Sequence, residues 1–352
     1  MLSSLRLQHF RSYDDDSFEF GDGVNIVVGP NASGKTNLLE AVLVACRGSS
    51  FRAKDIDLIA IGAPWARLDA AHDASKRTVK LIGHESGLSK KEFIIKDRSF
   101  TRLSLQNTIP VVLFEPNHLS LLHGSPDGRR DYLDTVLEQT TPGHATIRRT
   151  YRRTLAQRNA LLKRGLSAKG QLFAWNIKLS QVGSEIALAR ARLVQTINEH
   201  INQVYHQIAP AEASNISLKY QPSCDIAQYA SSLLQNLEKR QDIDIERGFT
   251  SVGPHREDMV VLFGENAASD VASRGEMRTI LLVLKIIELK LVEQARDAKP
   301  ILLLDDVFSE LDGARRKALT EAIGNYQTFI TTTDADVVVH HFMQNCTIIP
   351  LS

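Results

Sequence analysis

Cysteine is scarce in this chain. Only Cys46, Cys224 and Cys346 occur among 352 residues, far apart and odd in number. That pattern argues against a disulfide framework and against a clustered zinc site, and it predicts reduced thiols in a cytoplasmic protein. Long apolar runs are also missing. None approaches the roughly 18 residues a membrane-spanning helix needs. The first ten residues, Met1 to Phe10, alternate like a strand and lack the apolar segment of a signal peptide, so no membrane association is expected. There is no internal repeat and no low-complexity tail. A surplus of one charge is lacking as well: 42 Lys and Arg face 41 Asp and Glu, so net charge names no partner. The remainder, 43% hydrophobic and 24% charged, is ordinary globular composition. The length suits one large domain with a lobe, or two domains.

Against this plain background one octet stands out: Gly29-Pro30-Asn31-Ala32-Ser33-Gly34-Lys35-Thr36. It follows Val24-Asn25-Ile26-Val27-Val28, which reads as a buried strand. It precedes Asn37 to Leu43, which reads as a helix. Strand, glycine-rich turn and helix together are the context of a phosphate-binding P-loop. Gly29 and Gly34 let the backbone curl around phosphate, and the helix N-terminus offers positive potential to a polyanion. Lys35 is placed to reach the β- and γ-phosphates of ATP, and the Thr36 hydroxyl to hold Mg²⁺.

The rest of the pattern is coarse. Up to about Pro116 short strands predominate, with hairpins expected around Gly21-Asp22-Gly23 and Ser86-Gly87. From Pro126 to Ile208 the character is helical. Ile186, Leu193, Ile197, Ile201, Val204 and Ile208 recur at helical spacing, and a turn near Gly165 to Gly170 separates two antiparallel helices. Strand-like runs return from Ser217. They are followed by a helix at Gly275–Gln294, a strand at Ile301–Leu304, a helix near Ala314–Gly324 and a strand at Thr328–Thr331. The expected layout is residues 1–125 and 211–352 forming one nucleotide-binding lobe, with 126–210 as a helical insert.

Ile301-Leu302-Leu303-Leu304-Asp305-Asp306 reads as a buried parallel strand ending in two carboxylates. Asp305 would emerge beside the P-loop and hold Mg²⁺, and Asp306 would orient or deprotonate the attacking water. The plain alternative is a helix cap after a core strand. Nearly the whole chain separates the two motifs, so the nucleotide lobe must be built from both chain ends. This layout resembles the ABC-type ATPase heads of SMC proteins: an α/β, P-loop ATPase lobe carrying an inserted α-helical lobe. Such heads carry a Ser-x-Gly signature at a helix N-terminus, which contacts the terminal phosphate bound by the opposite subunit. Ser273-Arg274-Gly275-Glu276 fits that place, with Ser273 and Gly275 as the contacts and a simple helix cap as the alternative. Ser309-Glu310-Leu311-Asp312 falls where such heads carry a loop touching the partner.

The chain further resembles the RecF family, the SMC-related DNA replication and repair proteins without a long coiled coil. The resemblance rests on Phe10-Arg11-Ser12-Tyr13, Gly34 to Ala41, Ser50-Phe51-Arg52, Gly124 to Asp134, Thr250 to Asp258 and Leu304 to Asp312, in that order. It implies ATP and Mg²⁺ as cofactors, an ATP-dependent homodimer and weak DNA-stimulated ATPase activity. It also implies binding to duplex DNA and single-strand/duplex junctions. RecO and RecR would be partners in loading RecA for gap repair, replication restart and the SOS response. Phe10, Arg11 and Tyr13 are candidates to lie near the adenine or ribose, with a plain edge strand as the alternative, and Asn117 is the nearest candidate for a glutamine-loop residue. Two positions depart from the pattern. Glu276 stands where the family usually has Gln, and Thr331-Thr332-Thr333-Asp334 carries no switch histidine.

Between Gln139 and Ser184 there is no Asp or Glu, but nine Lys and Arg. Within it Arg148, Arg149, Arg152 and Arg153 are spaced to share a helical face and are the candidates for DNA phosphate contact. A solvated helix face is the plain alternative. Rival functions are a transporter ATPase subunit, an SMC-like ATPase of a defence or nuclease system, and a scaffold whose P-loop only stabilises the fold.

Overall fold

The computed structural model describes residues 1–73, 75–84, 87, 89–165, 170–210, 215–334, 338 and 346–351. The chain divides into two compact units: Met1–His118 with Glu288–Ser352, and Leu119–Ile287. Up to His118 run β1 (Leu2–Phe10), β2 (Tyr13–Glu19), β3 (Val24–Val28), α1 (Lys35–Arg47), β4 (Trp65–His72), β5 (Ser75–Gly83), β6 (Ser89–Ile95), β7 (Arg98–Phe100) and β8 (Val111–Phe114). Next come α2 (Ser120–His123), α3 (Pro126–Thr140), α4 (His144–Leu162), α5 (Leu172–Ile208), β9 (Ile216–Gln221), α6 (Tyr229–Lys239) and α7 (Gln241–Arg247). They are followed by β10 (Asp258–Phe263), β11 (Asn266–Ala267), α8 (Ala268–Val271) and α9 (Arg274–Arg296). The chain closes with β12 (Ile301–Asp305), α10 (Val307–Glu310), α11 (Gly313–Ile323), β13 (Thr328–Thr332) and β14 (Cys346–Pro350).

The first unit holds two sheets. One is wholly parallel, in the order β14-β3-β13-β12-β8. It joins strands from both chain ends, as the spacing of the two motifs requires. Its strands are short apolar runs because both faces are covered: Val24 to Val27 and Ile301 to Leu304 are buried throughout. The other sheet is antiparallel, in the order β2-β1-β4-β5-β6-β7. Leu5, Leu68 and Val79 from that sheet, Val27 and Leu303 from the parallel one, and Leu38, Leu39 and Val42 from α1 share one core cluster. α1 is therefore buried nearly all round, which is why Leu38 to Cys46 reads as almost continuously apolar. Each such Leu or Val contributes about 1.5–3 kcal/mol.

The hairpin expected at Gly21-Asp22-Gly23 does not form. β2 pairs with β1 through the turn at Arg11-Ser12, whereas β3 belongs to the other sheet. Asn25 holds the crossover: its side chain accepts from Gly21 N and donates to the carbonyls of Gly21 and Gly23. Of the second expected hairpin, Ser86 lies outside the described residues.

The second unit is built on α3, α4 and α5, with a small antiparallel sheet ordered β11-β10-β9. The stripe read on α5 faces inward, with Ile186, Leu193, Ile197, Ile201 and Val204 buried. This unit starts at Leu119 and runs past residue 210 into α9, so it is larger than the expected insert. Of the turn expected between α4 and α5, residues 166–169 lie outside the described residues.

Candidate nucleotide site and candidate DNA-facing helix

The P-loop connects β3 to α1. Gly34 is the N-cap residue of α1, at φ 95° and ψ 4°, a left-handed conformation that favours glycine. Space forbids a side chain there as well, since a Cβ would come 2.9 Å from the Tyr13 hydroxyl. That hydroxyl donates to the Gly34 carbonyl at 3.0 Å. Tyr13 thus fixes the turn from behind, and burial pushes its hydroxyl pKa up. At Gly29 a Cβ would lie 2.5 Å from the Leu351 carbonyl.

The cradle fits a polyphosphate. Gly34 brings no side-chain cap to α1, so among the described residues no N-cap side chain occupies its first-turn amides. Ser33 Oγ is buried with no hydrogen-bond partner among the described residues. Lys35 folds back, its Nζ donating to the carbonyls of Gly29 and Pro30 at 2.7 Å each. An ammonium held by loop carbonyls, beside amides without an N-cap side chain, suits an anion.

The second motif arrives through sheet register. β13 pairs with both β3 and β12, placing Thr331 opposite Val27 on one side and Asp305 on the other. Asp305 therefore emerges beside the P-loop. Thr36 Oγ1 donates to Asp305 Oδ1 at 3.0 Å, and Thr331 Oγ1 donates to the same oxygen at 2.8 Å. A hydroxyl and a carboxylate oxygen at this spacing are the hard-oxygen donors Mg²⁺ prefers, and Mg²⁺ keeps several waters for its other positions. Asp306 is exposed at φ 53°, and its amide donates to Thr331 Oγ1 at 2.8 Å. Thr331 thereby organises both aspartates. Neither motif names it, because its place depends on strand register.

Phe10 is fully buried in the core, which removes it from the residues expected near a base. Arg11 makes a bidentate pair with the buried Glu40 at 2.8 and 3.0 Å, and Arg52 reaches the same carboxylate at 3.0 Å. Burial opposes ionisation of Glu40. Hydrogen bonds from Arg11, Arg52 and Ser50 outweigh it and hold the carboxyl below its ordinary range. Arg52 also donates to Asn37 Oδ1 at 2.6 Å, tying this cluster to the first turn of α1. Asn117 is exposed just past the end of β8.

In the second unit Ser273 is the N-cap of α9. Ser273 N donates to Glu276 Oε2 at 2.6 Å, and Glu276 N donates to Ser273 Oγ at 3.3 Å. Glu276 therefore caps backbone, the contact a carboxylate at this position needs. The side chains of Ser309 and Glu310 lie outside the described residues.

The basic stretch is not uniformly outward-facing. Arg149, Arg152 and Arg153 are exposed on α4, but Arg148 is half-buried and engaged. It meets Asp134 at 2.9 Å, Glu138 at 3.0 Å and also Asp131. Arg158 is fully buried, donating to Asp244 Oδ2 at 2.8 Å, Thr250 Oγ1 at 2.7 Å and Asn176 Oδ1 at 2.8 Å. Reading these two arginines as uncompensated is therefore corrected: their carboxylates come from outside the acid-free stretch.

A parallel sheet assembled from both chain ends, a P-loop against the Asp305 strand and a capped Ser-x-Gly helix define an ABC-type ATPase head of the SMC kind. Residues 1–349 match the RecF/RecN/SMC N terminal domain family. A solved SMC head bound to the C-winged helix domain of ScpA shares the fold, with a TM-score of 0.54 at 17% identity over 99% of this chain and 94% of that one. Within that class the chain belongs to the RecF family. It is 35% identical over 366 aligned residues to the DNA replication and repair protein RecF of Microcystis aeruginosa, covering 98% of this chain and 96% of that protein. The solved structure of the recombination mediator protein RecF-ATPrS in the RecFOR pathway superposes with a TM-score of 0.87 at 27% identity, covering 99% and 96%.

Proposed function

We propose that this protein binds ATP and Mg²⁺ at Gly29–Thr36 and Asp305, pairs with a second copy on that nucleotide, and clamps DNA for recombinational repair. The observation that carries the reading is the Thr36–Asp305 contact, two hard-oxygen donors brought together from opposite ends of the chain at the mouth of an uncapped P-loop. ATP would supply the negative charge of its terminal phosphate and the phosphoryl group that water attacks, with ADP as the leaving group. Lys35 and the α1 amides would bind that charge, and Asp306, exposed beside Asp305, would orient water and accept its proton. Ser273 and Gly275 of a second copy would complete the site, so that ATP holds two copies together until slow hydrolysis releases them.

DNA contact is assigned to the exposed Arg149, Arg152 and Arg153, with Arg148 holding α4 in place behind them. Such contacts read phosphate rather than sequence, which suits duplex DNA and single-strand/duplex junctions. Through the family, the protein would act in the cytoplasm with RecO and RecR to load RecA in gaps, serving replication restart and SOS induction. Analytical ultracentrifugation of the full chain with ATP, DNA, both or neither tests the reading. The expected outcome is a mass doubled by ATP and Mg²⁺, with DNA co-sedimenting most strongly with the doubled species. A mass indifferent to saturating ATP would overturn it.

A further inference from the structure

The first turn of α9 is closed on itself by the reciprocal bonds between Ser273 and Glu276. This capping box has two consequences for Ser273. A hydroxyl has one hydrogen and two lone pairs. The Glu276 amide takes one lone pair at 3.3 Å, which restrains the side chain and leaves the hydrogen free to donate outward. The Ser273 amide is meanwhile held at 2.6 Å by the Glu276 carboxylate. The Glu276 backbone thus orients the serine hydroxyl as a donor, while its side chain fixes the serine backbone and sets a negative charge within one hydrogen bond of it. Toward an incoming phosphate these effects oppose each other: orientation helps, like charge repels.

We propose that Glu276 is a positioning residue that tunes nucleotide-driven pairing, fixing Ser273 for the phosphate held by a second copy while its charge keeps the pair easily reversed. The inference rests on the pairing reading above. Gln and Glu serve equally in a capping box. Glu276→Gln therefore keeps both hydrogen bonds and removes the charge, whereas Glu276→Ala removes the charge and the side-chain bond to the Ser273 amide and keeps only the backbone bond to Ser273 Oγ.

The test is sedimentation velocity of the full chain over a protein concentration series at saturating ATP and Mg²⁺. The ATP affinity of the unpaired chain is measured separately with a fluorescent ATP at low protein concentration. Glu276→Gln is expected to pair at roughly two- to fivefold lower protein concentration than wild type, the scale of one exposed charge interaction. Glu276→Ala is expected to need roughly three- to tenfold more protein, the scale of losing one hydrogen bond that fixes the serine. ATP affinity of the unpaired chain stays unchanged in both variants. A merely structural cap would lower the melting temperature of Glu276→Ala and leave Glu276→Gln pairing like wild type, and that result overturns the proposal. Wild-type protein that stays single at saturating ATP overturns the pairing reading itself, and this inference with it.

Discussion

The nucleotide site of the first unit and the helical core of the second use charge in opposite ways. In the first, the nucleotide site collects charge at strand and helix ends: Lys35 against loop carbonyls, Asp305 against two hydroxyls, Asp306 exposed. In the second, charge is drawn into the interior to join helices. Arg158 on α4 binds Asp244 on α7, and Arg190 on α5 makes a bidentate pair with Asp134 on α3, with both oxygens at 2.9 Å. Asp134 is held far below the ordinary carboxylate range: burial opposes its ionisation, but His144, Arg190 and Arg148 overcome that. A buried ion pair costs much of its attraction in desolvation, but removing one partner strands the other. The contrast teaches that a cation count along a sequence measures partners available in space as well as outward charge.

The sharpest way to break this comparison is to strand an interior charge. Asp244→Ala leaves the fully buried Arg158 without its carboxylate and should cost about 3–5 kcal/mol, read by urea unfolding of the nucleotide-free chain. A loss below about 1 kcal/mol would mean that Thr250 and Asn176 suffice and that the interior network is not what joins these helices. Lys35→Ala should do the reverse. Its partners are loop carbonyls at the mouth of the site, so the stability loss should stay at about 1 kcal/mol, while ATP affinity measured calorimetrically falls roughly ten- to a hundredfold, the worth of a charge-assisted contact. Normal ATP affinity would remove Lys35 from the site.

Legibility followed contiguity. The P-loop with its flanking strand and helix, and the Ile301–Asp305 strand, are contiguous stretches whose local pattern names them, and they form where expected. So do α9, α11 and β13, to within two residues. What needed strand register or long-range pairing stayed hidden. Thr331 organises both aspartates only because β13 lies between β3 and β12. The partner of Arg158 is 86 residues away. One signal could have exposed Arg158: Tyr151, Thr154, Arg158, Leu161 and Leu162 fall on one face of α4, and that face is buried. The failed hairpin at Gly21 to Gly23 has the same origin, since a glycine turn looks alike whether the chain returns within a sheet or crosses to another.

The arginines of α4 sharpen the comparison within one helix. Replacing Arg149, Arg152 and Arg153 together by Ala should lower the salt dependence of duplex binding by about two to three units of log–log slope, near 0.9 for each phosphate no longer neutralised. Fluorescence anisotropy across a salt series reads it. Arg148→Ala should leave that slope alone and instead destabilise the unit, because Asp134 and Glu138 lose a shared cation. If Arg148→Ala changes the slope as much as the triple variant does, the division between inward and outward arginines fails.

The mildest effect concerns His255, which sits among the second unit's buried charges and carries none itself. Its Nε2 lies 3.0 Å from the Thr250 carbonyl, so that nitrogen must hold the proton; Nδ1 then accepts from the Tyr151 hydroxyl at 2.7 Å. Both ring nitrogens are satisfied in the neutral form. Burial chiefly, with Arg256, Arg130 and Arg158 adding to it, lowers the pKa from 6.5 to about 4. A group whose folded pKa lies below its unfolded value stabilises the fold fully above the unfolded value. That stability is lost as pH falls from about 6.5 toward 4, because the unfolded chain takes up the proton first. His255 should therefore account for roughly 1–2 kcal/mol of the stability lost between pH 7 and pH 5. Urea titrations of wild type and His255→Gln at the two pH values isolate it. The variant can keep one of the two hydrogen bonds and cannot be protonated, so its stability should fall less over this range. Parallel losses in the two proteins would show that His255 titrates alike folded and unfolded, and would assign the acid sensitivity of this unit to its carboxylates.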